Sequence, residues 1–277
     1  MRIVFRQFYQ FLINRIATQS QSNDFLQRSA IVFSPHQDDE TLGCGGTILQ
    51  KQQAGTAVKI VFLTDGCRSH KLMAESELKS IRRREALAAS CLLGLTEKDV
   101  LFLDFKDGEL HKHQDAAVEK VKQILDDNQP EEVFVPYYRE YPPDHWVTNK
   151  IVLSALRMYQ KEVIIYEYPI WFWHHWPLTP ITLRRRREIL TEMKKFLSSC
   201  LSLLQDFNYS VDIRQVLAAK RTALNQHQSQ MQKLIDDDDW RTLEDVANGE
   251  WLECFFHNYE VFYRHRLLLS QPKSWGS

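Results

Sequence analysis

The sequence predicts an α/β protein, a doubly wound (Rossmann-like), mostly parallel sheet with a C-terminal cap. Short β-branched runs alternate with longer helical stretches through the middle of the chain, and the strand runs are largely apolar instead of alternating. Such runs separated by helices fit a parallel sheet covered on both faces, where both sets of side chains are buried. The first strand is 30–33 (AIVF), followed by a loop and a helix at 40–53. The second, 58–63 (VKIVFL), ends at Thr64-Asp65-Gly66 and leads to a long helix at 75–93. The third is 100–103 (VLFL), followed by a helix at 116–126. The fourth, 132–135 (EVFV), is closed by Pro136 and precedes a helix at 145–159; the fifth is 163–166. From about Trp171 an aromatic segment, a basic helix, a possible strand pair at 207–213 and a helix from Arg214 read as a cap. The whole of 1–277 is therefore expected to be one domain, with a core at about 28–170 and the cap at 171–277.

With 277 residues, 44% hydrophobic and 26% charged, the composition is that of an ordinary globular protein. A net charge of −1 gives no bulk reason to expect a nucleic-acid partner. The five cysteines are odd in number and contain no C-x-x-C pair, which speaks against a disulfide scaffold and for a reducing, cytoplasmic setting. No apolar run reaches the roughly 18 residues that span a bilayer. Residues 1–16 are amphipathic but lack the h-region and cleavage site of a secretory signal. The arginines at 184–187 read as a solvated helix face, with an anionic substrate or membrane as the other possibility.

In doubly wound sheets ligands bind beyond the carboxyl ends of the strands. After the first strand comes Ser34-Pro35-His36-Gln37-Asp38-Asp39-Glu40. Histidine and carboxylate ligate zinc, and a catalytic zinc needs three protein ligands with one position open. His36 and Asp39 can turn toward one point in a tight turn, and Asp38 then faces the space beside it. One aspartate here could instead cap the next helix. The loop after the fourth strand, Pro142-Pro143-Asp144-His145, offers the third ligand in His145. Asp144 can cap that helix or orient an imidazole.

P-H-x-D-D-E after the first strand, T-D-G after the second and the D-H pair after the fourth resemble the PIG-L/LmbE-like zinc-dependent N-deacetylases. Arg82, Glu85 and Leu93-Gly94 are similar to the family's R-x-x-E…L-G helix, and Asp107-Gly108-x-Leu110 to its D-G-x-L turn. Residues 220–230 (KRTALNQHQSQ) resemble a K-x-x-A…H-x-S-Q helix. Arg82 is expected to pair with Glu85 across one helical turn. The resemblance is close over about 28–170 and loose beyond. It implies a hydrolase that takes an acetyl group from the 2-amino group of an N-acetylglucosaminyl-type sugar or glycoconjugate, with one Zn2+ per chain. His36, Asp39 and His145 would then be the metal ligands and Asp38 the base that deprotonates the attacking water, with Asp144 beside it in the catalytic set. Asp107 matches a sugar-contacting position, and Arg68 is a second candidate for substrate binding.

The family's second motif is usually H-x-D-H, its first histidine stabilising the oxyanion and protonating the leaving amine; here that position is Pro142, which has no proton to give. Tyr141, His174 and His175 are the candidate replacement acids, with Tyr138 and Glu140 also in reach by sequence. Pro142 keeps open a zinc-containing sugar-binding pseudoenzyme, and a zinc amidase on a non-sugar amide is a third reading.

Overall fold

The computed structural model describes residues 11, 23–174 and 186–267. Most of the amphipathic segment 1–16, the first two arginines of 184–187 and His175 lie outside these residues. A short helix α1 (Asn23–Gln27) precedes β1 (Ala30–Ser34), α2 (Asp39–Gln53), β2 (Val58–Thr64), α3 (Glu75–Leu92), β3 (Val100–Phe105), α4 (Gln114–Asn128), β4 (Glu132–Pro136), α5 (Pro143–Tyr159) and β5 (Ile164–Tyr168). Each expected strand and helix of the core is present, with ends within about three residues of the expected ones. These elements are followed by α6 (Arg186–Gln205), β6 (Tyr209–Asp212), α7 (Leu217–Leu224) and β7 (Tyr259–Arg266).

The sheet has seven strands in the order β3-β2-β1-β4-β5-β7-β6, parallel from β3 through β5. Along β1 and β4, alternate residues feed two different cores. Ala30 and Val32 face one with Leu42, Ile48 and Phe134, while Ile31 and Phe33 face the other with Val133, Val135, Val147 and Ile151. This is why the strands read as continuous apolar runs: both faces are covered.

The segment after 171 does more than cover the sheet. The expected local strand pair at 207–213 is one strand, and its partner is 50 residues on: β6 pairs antiparallel with β7, and β7 with β5. α7 then packs back on α2. Glu260 of β7, buried, accepts hydrogen bonds from Gly46 N at 2.7 Å, Thr47 N at 2.8 Å and Thr47 Oγ1 at 2.6 Å. Its other contact is Lys220 Nζ at 2.8 Å, which also donates to Leu42 O at 2.7 Å. Gly46 is required by this approach, since a Cβ there would stand 2.4 Å from Ile213 Cγ2. No described helix is long and apolar enough to cross a membrane.

Strand order reverses between β1 and β4. β1 is followed by β2 on one side, whereas β4 is followed by β5 on the other, so the loops leaving β1 and β4 part over a crevice at their carboxyl ends. His36 follows β1 and His145 follows β4.

Candidate active site

The β1–α2 loop is bent around Asp38, whose φ of 145° and ψ of −31° are a conformation L residues seldom adopt. The capping reading fails here, because Asp38 is at the N-cap position of α2 but its side chain makes no cap hydrogen bond. Glu40 holds the bend from inside, accepting Asp38 N at 2.9 Å. Gln37 Nε2 donates to Thr64 O at 2.8 Å, tying the loop to the end of β2. Gly66 of the T-D-G turn has φ +61°, and a Cβ on it would meet Gln37 Oε1 at 2.2 Å, so only glycine lets the two loops close up.

This geometry turns His36 and Asp39 inward, where α5 presents His145. Asp39 Oδ2 is 3.3 Å from His36 Nδ1 and 3.4 Å from His145 Nε2. Donor atoms of the three residues all lie within 4.8 Å of one another. Ligands about 2.0–2.1 Å from a tetrahedral ion stand about 3.3–3.4 Å apart, so the measured pairs fit a shared ion. The donor set, two imidazoles and a carboxylate, suits a divalent ion such as zinc. The far nitrogen of His36 also has partners: Nε2 is 3.3 Å from Asp107 Oδ1 and 3.5 Å from Asp144 Oδ2. Carboxylates behind a ligand imidazole fix its tautomer and raise its basicity. Asp144 thus faces His36, and Gly108 N donates to its Oδ2 at 2.7 Å. Its Oδ1 is buried without a hydrogen-bond partner, as is His145 Nδ1.

Asp38 lies beside the trio with Arg82 Nη2 3.3 Å from its Oδ2. Burial pushes the Asp38 carboxyl up to about 7, against the pull of Arg82. Asp39 goes the other way: burial opposes it, but His145 and His36 together hold its carboxyl below the usual range. Burial drives His145 down to about 4. Two adjacent aspartates are thereby separated, the one wedged between imidazoles staying ionised and the other able to exchange a proton near neutrality.

Arg82 and Glu85 do not pair with each other, contrary to the helical spacing. Arg82, almost wholly buried, donates to Gln37 O as well as facing Asp38. Glu85 accepts Ser229 N and Ser229 Oγ, both at 2.7 Å. Each finds a buried partner across the fold, and a pair along the helix would leave those groups unsatisfied.

Of the substrate candidates, Asp107 is at the site while its Oδ2 accepts Arg68 N at 2.9 Å. The Arg68 guanidinium reaches Glu75 at 3.0 Å, Asp107 O at 3.1 Å and Glu109 at 2.8 Å. Of the acid candidates, Tyr141 OH and His174 Nδ1 meet at 3.4 Å. Tyr138 instead turns its hydroxyl to Asp206 at 3.3 Å. Glu140 is buried on three backbone amides, those of Ile170, Trp171 and Phe172, at 2.9, 2.7 and 3.1 Å. Burial lifts its carboxyl to about 8 even so. Pro142 is the N-cap of α5 and offers no side-chain donor.

Residues 31–156 match the family described as PIG-L, GlcNAc-PI de-N-acetylase. The chain carries a PIG-L-family domain. All three metal candidates fall inside the matched segment. Over 237 residues, covering 82% of this chain and 96% of the relative, the chain is 25% identical to a probable N-acetyl-alpha-D-glucosaminyl L-malate deacetylase 2 of Bacillus cereus. Over 144 residues, 49% of this chain and 54% of the relative, it is 33% identical to 4-oxalmesaconate hydratase of Pseudomonas putida. The fold is similar to that of N,N'-diacetylchitobiose deacetylase from Pyrococcus horikoshii, with a TM-score of 0.59 and 23% identity over 95% of this chain and 92% of that one.

Beyond the PIG-L segment, 220–230 has a structural role at the site. His227 Nε2 is 3.3 Å from Glu40 Oε1, behind the Asp38 bend. Gln230 Nε2 reaches Ser69 Oγ at 3.2 Å and His70 Nε2 at 3.3 Å, in the loop that carries Arg68. The H-x-S-Q spacing was the available sequence signal, but nothing in it says that these side chains support two loops more than 150 residues upstream.

Proposed function

We propose that this protein is a divalent-metal-dependent, most simply zinc-dependent, N-deacetylase that hydrolyses the acetamide of an N-acetylglucosaminyl compound. The convergence of His36, Asp39 and His145 on one point beside Asp38 carries the reading. Membership in the PIG-L family and the deacetylase named in Bacillus cereus support it. His36, Asp39 and His145 would hold the zinc ion, which when bound would polarise the amide carbonyl and lower the pKa of water toward about 7. Asp38 takes the proton of the attacking water on its carboxylate, and Arg82 keeps that carboxylate in place. Water's oxygen bonds to the acetyl carbon, the C–N bond breaks, and the nitrogen takes a proton to leave as the free amine. Tyr141 with His174 supplies that proton in place of the histidine missing at Pro142. Asp107, with Arg68 behind it, binds sugar hydroxyls. The chain acts as one domain in this account, because its C-terminal third supports the β1–α2 loop.

Acetate release from a panel of N-acetylglucosaminides tests the function. Turnover of at least one is the expected result, and an ion-loaded protein that cleaves no amide contradicts it. The hydratase of Pseudomonas putida gives a second reading one observation in its favour, so hydration of an unsaturated carboxylate belongs in the same panel. Tyr141→Phe and His174→Ala are each expected to lower kcat by about 10- to 100-fold with KM little changed, within the range for a proton donor. If both variants turn over at the unmodified rate, the acid lies elsewhere.

A further inference from the structure

His36 has two carboxylates behind its outer nitrogen, but His145 has none in hydrogen-bond contact. Its Nδ1 is buried without a partner in a residue that is 1% exposed. An N–H left in that condition has lost its water without gaining an acceptor, which destabilises that orientation of the ring. The acidic group facing it is Glu140, whose Oε2 is 3.8 Å from His145 Nδ1. Asp144, the neighbour in sequence, gives its Oδ2 to Gly108 N and to the His36 side, and its Oδ1 makes no hydrogen bond to His145.

We infer that Glu140 is the positioning residue for His145, accepting a hydrogen bond from Nδ1–H so that Nε2 is presented to the metal. Its side chain is fully buried beside an equally buried imidazole. It cannot swing away, because the amides of Ile170, Trp171 and Phe172 hold both of its oxygens. At 3.8 Å, Oε2 stands within about 1 Å of hydrogen-bond distance from Nδ1. Glu140 also joins the two parts of the site that the sequence keeps apart. Through it the segment that bears Trp171 and His174 is fixed to the β4–α5 loop, which leads into His145. The orientation of a metal ligand and the placement of the acid-bearing segment then depend on one side chain.

The inference rests on the metal reading of His145 and not on the identity of the substrate. Zinc affinity, measured by competition with a chromophoric chelator, therefore tests it separately from catalysis. Glu140→Gln is expected to bind zinc 10- to 100-fold more weakly, the usual loss when a carboxylate behind a ligand histidine is removed. Nitrogen-15 spectra of the zinc-loaded chain should show His145 protonated at Nδ1, and a mixture of tautomers in the variant. Glu167→Gln is the control, since Glu167 is also buried, accepting Tyr138 N at 2.8 Å and facing His265 at 2.9 Å. It should lower the urea midpoint without changing zinc affinity. Equal zinc affinity in Glu140→Gln and the unmodified chain overturns the inference alone. Failure of the unmodified chain to bind zinc overturns the metal reading with it.

Discussion

Asp38→Asn should lower kcat by about 10²–10⁴-fold while the protein still binds one zinc per chain. The size is that of a positioned general base removed from its reaction. Asparagine is nearly the same shape, tolerates positive φ better than most residues, and keeps a hydrogen-bonding oxygen toward Arg82. It cannot accept a proton. His36, Asp39 and His145 are untouched, so the ion should stay. Steady-state kinetics on samples of matched zinc content measure this directly. Retention of more than a tenth of kcat would remove Asp38 from the role of base. Loss of zinc together with activity would make the residue a ligand, a different account of the same loop.

The second large effect is on stability. Glu260→Ala should destabilise the fold by about 3–5 kcal/mol, the usual loss when one partner of a buried ion pair is removed. The substitution leaves Lys220 charged and buried and deprives Thr47 of its acceptor. Exchanging both partners for apolar residues, Lys220→Met with Glu260→Leu, should recover much of the loss. Urea unfolding followed by far-UV circular dichroism measures both variants. The pair joins α7 to β7 and ties both to α2 through Leu42, Gly46 and Thr47, so a single cooperative transition shifted to lower urea is expected if the C-terminal third and the core unfold as one unit. A loss under about 1 kcal/mol, or a separate early transition with the core intact, would show that the two parts are independent.

Much of the fold was legible because burial on both faces leaves a plain mark. A run such as AIVF has no polar residue on either side to confuse the period, and EVFV has only Glu132 at its start. β7 escaped notice for the opposite reason. Its sequence YEVFYRHR mixes charge with aromatic residues, its single acid being the buried Glu260 that pairs with Lys220. A charge neutralised by a residue 40 positions away looks, in sequence, like a charge in water. The metal trio was legible from its place: His36, Asp39 and His145 stand at the ends of two strands where the sheet order reverses. Arg82 was misread as pairing with Glu85 because helical spacing reports only neighbours on its own helix, whereas both side chains point into the protein. Glu140 was one acid candidate among five, and only the three amides of Ile170, Trp171 and Phe172 distinguish it.

The central claim is that an ion held by His36, Asp39 and His145 enables amide hydrolysis. Its most direct test strips the protein with a chelator, confirms the metal content by elemental analysis, and follows acetate release as zinc is titrated back. The account predicts no turnover in the stripped protein and full recovery at one equivalent of zinc, with His145→Ala failing to recover at that equivalent. Undiminished acetate release from protein with less than a tenth of an equivalent of any divalent metal would contradict it.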